Sequence, residues 1–312
     1  MKKVAITLSA MMIIGLSVGM LMQQEPMTSL PAQTQSEKLA EQVQETEQQE
    51  QEPVIPVTDQ PADYSINDEE FLVTFDQGEN WIQVPIEPQT LFTGEYTGSQ
   101  EELINDSYVL TKDRAVFLYA VHQTSGITVH TISTTDQGKS WQETPISNIE
   151  SRPTLRFRTM DLLNEKFGYL IFSGERTMSS ESGYVYLTND GGESWTLVGI
   201  PDTIRLIAGG GFINETTGFL SYGTINPDAP DLYVTNDAGT SWTSADIHVP
   251  EEYGVIFVQA EVPFIRDNQM VLHVNQGPNG DYLGGRVKGE FHSEDEGLTW
   301  KFVKEVEPDE LP

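Results

Sequence analysis

Three of the eight arginines in this acidic chain fall within seven residues, Arg152-Pro-Thr-Leu-Arg156-Phe-Arg158. Guanidinium groups bind carboxylates and phosphates through paired donors, so such a cluster reads as an anion contact. On a strand, Arg156 and Arg158 are two apart and project from the same face. The plainer reading, and the preferred one, is local neutralisation of Glu150, Asp161 and Glu165. Further binding candidates sit in long loops, where a rigid β scaffold presents function. The loop Glu87–Asp106 carries Tyr96 and many acids, and Gly174–Gly183 carries Arg176. Tyr253, Tyr282 and Arg286 complete the set, the tyrosines as stacking surfaces for a sugar or peptide. Two loops, TINPDAPD and NQGPNGD, hold enough oxygen atoms for Ca²⁺ but lack EF-hand spacing, and turn formation explains both. The five histidines are widely scattered, and no HExxH, GxSxG or P-loop pattern occurs.

Charge and composition narrow the chemistry. The formal net charge is −31 over 312 residues, which disfavours nucleic acid and favours cationic partners or divalent ions. Cysteine is absent, so disulfides, thiolate nucleophiles and Cys-bound metals are excluded. Lys2 and Lys3 precede an apolar run from Val4 to Met22, read as a cleaved export signal or a membrane anchor over residues 1–22. Residues 23–65 are rich in Gln, Glu and Pro and are expected to be a disordered spacer. The folded domain is expected over 66–312, outside a bacterial cell, with membrane contact only through the N-terminal segment. Nothing in the sequence decides the oligomeric state.

The elements that position these residues follow from one repeated motif. All five tryptophans end the pattern Ser/Thr-x-Asp-x-Gly-x-(Ser/Thr/Asn)-Trp. Its copies place Asp76, Gly78 and Trp81; Asp136, Gly138 and Trp141; Asp190, Gly192 and Trp195; Asp237, Gly239 and Trp242; and Asp295, Gly297 and Trp300. Short β-branched and aromatic runs flank each copy, so the motif is expected to be a hairpin turn. The Asp side chain is expected to bond N–H groups two residues on, the glycine to take positive φ, and the Trp ring to be buried with its N–H bonded. A weaker repeat, Asn-Glu-x-x-Gly-aromatic-Leu at Asn164 and Asn214, predicts the turn between the first two strands of a unit. Four strands per unit and a period near 50 residues predict an all-β fold, a β-propeller of four-stranded blades. Five blades are expected, the first one short, with Val54–Val57 as an extra strand for it.

These motifs resemble the Asp-box, or BNR repeat, and the resemblance covers residues 74–300. Asp-box families include bacterial sialidases, xyloglucan-type glycosidases, sortilin-type receptors and photosystem II assembly factors. The resemblance implies that the box residues are structural and peripheral, and that any active site lies on the central axis. The Arg-Ile-Pro signature of sialidases is absent. The leading expectation is therefore a non-enzymatic extracellular binding or scaffold module, with a protein or glycan ligand at the axial face. A glycoside hydrolase is the first alternative and an assembly factor the second. Two facing carboxylates in the axial pocket favour the hydrolase, and a pocket of apolar residues with arginines favours binding.

Overall fold

The computed structural model describes residues 61–96, 98–150, 154–178, 180–223 and 226–307. The expected leader, most of the expected spacer and Val54–Val57 lie outside the described residues. The chain divides after Val54 into two units, and everything described here belongs to the second.

Among the described residues, five sheets follow one another along the chain. The first has three antiparallel strands, Asp63–Ile66, Phe71–Thr74 and Ile82–Gln83. It is short, as expected, and its opening strand crosses the expected domain edge at residue 66. The second runs through Tyr108–Leu110, Ala115–Gln123, Gly126–Thr134 and Gln142–Ile149. The third comprises Arg158–Leu162, Gly168–Arg176, Glu181–Thr188 and Thr196–Val198. The fourth comprises Leu206–Phe212, Gly218–Gly223, Asp231–Thr235 and Thr243–Ser244. In the fifth, a broken inner strand (Gln259–Ala260 and Phe264–Arg266) pairs with Gln269–Asn275, which is followed by Lys288–Ser293 and Thr299–Val306. Asp246–His248 joins its outer edge in parallel. The chain is an all-β, propeller-type array of small sheets, with the inner strands of the second, third and fourth sheets side by side.

Apolar side chains leave both faces of the middle strands of the second, third and fourth sheets, because each of these lies between two others. Ala115, Phe117 and Tyr119 pack with Phe71 and Val73 of the first sheet. Their neighbours Val116, Leu118 and Ala120 pack with Leu170 and Phe172 of the third. Ile171 and Val185 meet Leu220 and Tyr222 of the fourth sheet. Phe219 and Val234 meet Leu272, Phe291 and Trp300 of the fifth.

The repeated turn has one hydrogen-bond pattern in all five copies. In the second copy Thr134 Oγ1 donates to Asp136 Oδ1 at 2.8 Å, and the Gly138 N–H donates to Thr134 Oγ1 at 2.9 Å. Asp136 accepts the Ser140 N–H on Oδ1 at 2.9 Å and the Ser140 hydroxyl on Oδ2 at 2.7 Å. The aspartate thus bonds four residues on, not two; the two-residue span belongs to the Thr hydroxyl, which accepts the Asp136 N–H. Successive positive φ angles, 60° at Gln137 and 76° at Gly138, curl the chain back far enough for this. The turn glycine also presses on the preceding sheet. A Cβ on Gly297 would stand 2.6 Å from Phe219, and one on Gly239 would stand 2.6 Å from Val198.

The tryptophans follow the same radial logic. Trp141, Trp195, Trp242 and Trp300 each join the apolar layer against the preceding sheet. The expected indole bonds form in only two copies, Trp242 to the Gly199 carbonyl at 2.8 Å and Trp300 to the Gly297 carbonyl at 2.9 Å. The buried Nε1 atoms of Trp81, Trp141 and Trp195 have no partner among the described residues. Ring packing, not the N–H, sets the position of Trp141 and Trp195.

Candidate active site

A pocket of about 750 Å³ opens where the inner strands converge. Its walls come from the Asn105–Thr111 segment, from Thr159–Asp161, and from Gly210 and Val262 of the next two sheets. Among the described residues, Asp106 and Asp161 are the only charged ones lining it, and no arginine does. Both aspartates are exposed; Asp161 lies on the inner strand of the third sheet and Asp106 in the turn just before the inner strand of the second.

Local geometry holds both carboxylates. Asp106 has φ 59°, a left-handed conformation that Asp tolerates better than most residues. Its carbonyl accepts the Met160 N–H at 2.6 Å, which ties the loop to the inner strand of the third sheet. Asp161 Oδ1 accepts the Leu162 N–H at 2.7 Å, which sets the plane of that carboxylate. Directly across the ladder from Asp161 stands Tyr169, also in the pocket wall. Burial pushes the Tyr169 phenol above its ordinary range, and the charges of Asp161 and Asp106 push it further. It therefore stays a neutral donor beside two anions. Two carboxylates and a phenol facing a polar pocket suit a polyhydroxylated ligand and proton transfer to or from its oxygens.

The residues singled out from sequence lie elsewhere. Arg152 is outside the described residues. Arg156 precedes the strand rather than lying in it, and clamps the fully buried carboxylate of Glu181 with Nε and Nη2. Glu181 in turn accepts the Ile207 N–H at 2.6 Å. Arg158 is 5% exposed and donates to the carbonyls of Leu91, Thr93 and Leu155. Neither partner set includes the acids expected from sequence proximity, because sheet packing brings distant groups closer than chain neighbours. Arg176 pairs with Glu95, and Arg286 is exposed. Tyr96 stacks on Phe92 at 5.6 Å and donates to the Ser99 carbonyl. Tyr253 packs on Phe257 and Phe302, and its phenol is pushed up to about 12, first by its bond to Glu305. Tyr282 donates to the same carboxylate at 2.9 Å.

The two oxygen-rich loops meet, with Asn279 donating to Asn226 at 2.6 Å beside a small pocket of about 250 Å³. Among the described residues no group of three or more His, Asp or Glu is arranged to hold a metal ion. No helix among them is long and apolar enough to cross a membrane.

Sequence reasoning passed over Asp106, Asp161 and Tyr169. In the sequence Asp106 closes an acidic loop, Asp161 stands as a counter-ion near the arginines, and Tyr169 is the aromatic of a turn. The signal available was position: Asp161 lies three residues before the Asn164 turn, at the end of an inner strand.

The sequence matches no family model and no curated protein. Among solved structures, a point mutant of the NanB sialidase from Streptococcus pneumoniae aligns at 13% identity over 60% of this chain and 29% of its own, TM-score 0.37. A GH74 enzyme from Niastella koreensis aligns at 15% identity over 80% of this chain and 36% of its own, TM-score 0.41. The family 117 glycoside hydrolase Zg3597 from Zobellia galactanivorans aligns at 10% identity over 64% and 68%, TM-score 0.36. The chain spans about a third of the length of the first two. Likenesses this remote bring no substrate or reaction to this chain.

Proposed function

We propose that this chain is an exported glycoside hydrolase of the Asp-box type, acting at the axial pocket. Asp106 and Asp161 form its acid–base or acid–nucleophile pair, and Tyr169 donates to the bound sugar. One observation carries the reading: among the described residues, two aspartates, Asp161 on an inner strand and Asp106 in the turn before another, are the only charged ones lining the 750 Å³ pocket. The alternative of a non-enzymatic axial binding site leaned on arginines at that position. Arg156 and Arg158 have other partners, so that support is missing. No observation favours an assembly-factor role.

The test is a hydrolysis screen of the full-length protein on aryl glycosides and soluble polysaccharides. On any substrate found, Asp106→Asn and Asp161→Asn should each lower kcat/KM by about 10²–10⁴, the span typical of losing a general acid or base. Tyr169→Phe should lose roughly tenfold, about the value of one hydrogen bond. Absence of hydrolysis across the panel, or turnover indifferent to both aspartates, refutes the proposal.

A further inference from the structure

The axial pocket does not end at the inner strands. It shares Val109 and Thr111 with a second cavity of about 250 Å³, which lies between the inner turns of the second and third sheets. That cavity shares Asn164 with a third, of about 500 Å³, bounded by the corresponding turns of the third and fourth sheets. The three spaces adjoin in a row over one end of the array.

Resting on the hydrolase reading, we infer that this row is one extended cleft for a linear glycan of several units. We infer further that it favours amine-bearing sugars over acidic ones. The cleft walls are preformed. Asn164 Oδ1 accepts the N–H groups of Lys166 and Phe167 at 2.9 and 2.7 Å, and Asn214 does the same for Thr216 and Thr217. Neighbouring turns are also tied to each other. Arg114 donates to the Glu165 carbonyl at 2.9 Å, and Asn164 donates to Glu215 at 3.4 Å. Such a rigid row binds a chain with little ordering of the protein.

Charge selects the occupant. Beyond Asp106 and Asp161, the outer cleft is lined by the exposed carboxylates of Asp113, Glu165 and Glu215. Among the described residues Arg114 is the one cation in the lining, and its guanidinium is already engaged by the Glu165 carbonyl. Lys112 and Lys166, on the same turns, are not lining residues. Five carboxylates against one guanidinium, on a chain of net charge −31, repel uronate or sialate chains and attract ammonium groups. Leu163, 37% exposed, supplies an apolar surface for the C–H face of a sugar ring among these polar groups.

Calorimetric titration of the full-length protein tests this with four probes: glucosamine hexamer, glucosamine dimer, galacturonate hexamer and hexalysine. The glucosamine hexamer should bind at least about tenfold more tightly than its dimer, a gain of about 1.4 kcal/mol. The double substitution Glu165→Gln, Glu215→Gln should weaken the hexamer roughly five- to tenfold and leave the dimer unchanged. Equal affinity for hexamer and dimer, tighter binding of the galacturonate, hexalysine binding as tight as the glucosamine hexamer, or no hexamer binding overturns the inference. Hydrolysis that depends on Asp161 with a KM indifferent to chain length overturns the cleft and leaves the hydrolase. Length-dependent binding with no turnover on any glycan overturns the hydrolase and leaves the cleft.

Discussion

Replacing Arg158 by Met tests whether a buried cation without an acidic partner holds an edge of the fold. Arg158 has no ion pair among the described residues; its guanidinium donates to Leu91 O at 3.0 Å, Thr93 O at 2.5 Å and Leu155 O at 3.0 Å. Burial draws its pKa down to about 10, so it remains charged at neutral pH. Hydrogen bonds from a charged donor contribute about 1.5–3 kcal/mol each, or roughly 5–9 kcal/mol for three. Burying the charge unpaired costs several kcal/mol, which Met recovers. The net loss is therefore about 2–4 kcal/mol. For a domain of this size that lowers Tm by roughly 5–15 °C. Two of the three acceptors belong to the segment around the short 3-10 turn Pro88–Phe92, so the damage should be local first. Urea unfolding followed by far-UV circular dichroism measures the loss, and hydrogen exchange measures protection of Thr90, Thr93 and Glu95, whose N–H groups are bonded. A loss under about 1 kcal/mol with unchanged protection of those amides refutes the reasoning, since it means that water or neighbouring groups replace the guanidinium.

Acid should unfold this protein through its repeated turns. All five turn aspartates are held below the ordinary carboxyl value of 3.8, Asp136 to about 2, chiefly by its bond from the Ser140 hydroxyl. A depressed folded pKa contributes stability in full above the unfolded value and loses it as pH falls through the folded one, so Tm should drop between about pH 4 and pH 2. The chain passes its isoelectric point near pH 4.2 and turns positive below it, so self-repulsion acts in the same direction, and a flat or rising Tm across that window rejects the turn account. The tryptophans should prove unequal despite their shared motif. Trp300 is fully buried, with its indole N–H bonded, and Trp300→Ala should cost about 3–5 kcal/mol in urea titrations. A cost below about 1.5 kcal/mol shows that the fifth sheet does not depend on that ring.

Much of the architecture was legible because its signals are local. Asp136 binds Thr134 and Ser140 within one eight-residue motif, and Asn164 binds N–H groups two and three residues on, so spacing alone announces both turns. The indole partners were not legible, since Trp242 reaches Gly199 across a sheet boundary. The arginine cluster misled for the same reason: Arg156 finds Glu181, and Arg158 finds Leu91 and Thr93, far along the chain.

The sequence by itself determined five hairpin turns, the strands that flank each of them, and the acidity that shapes any partner. Those follow from bonds within a few residues and from the two-residue period of a strand. Only the tertiary structure decided which charges face the axis. Asp106 and Asp161 share a pocket because the inner strands of successive sheets lie side by side, and the arginines are turned away because buried carbonyls and the Glu181 carboxylate need their donors. That choice depends on contacts between segments many residues apart, which no spacing in the chain encodes.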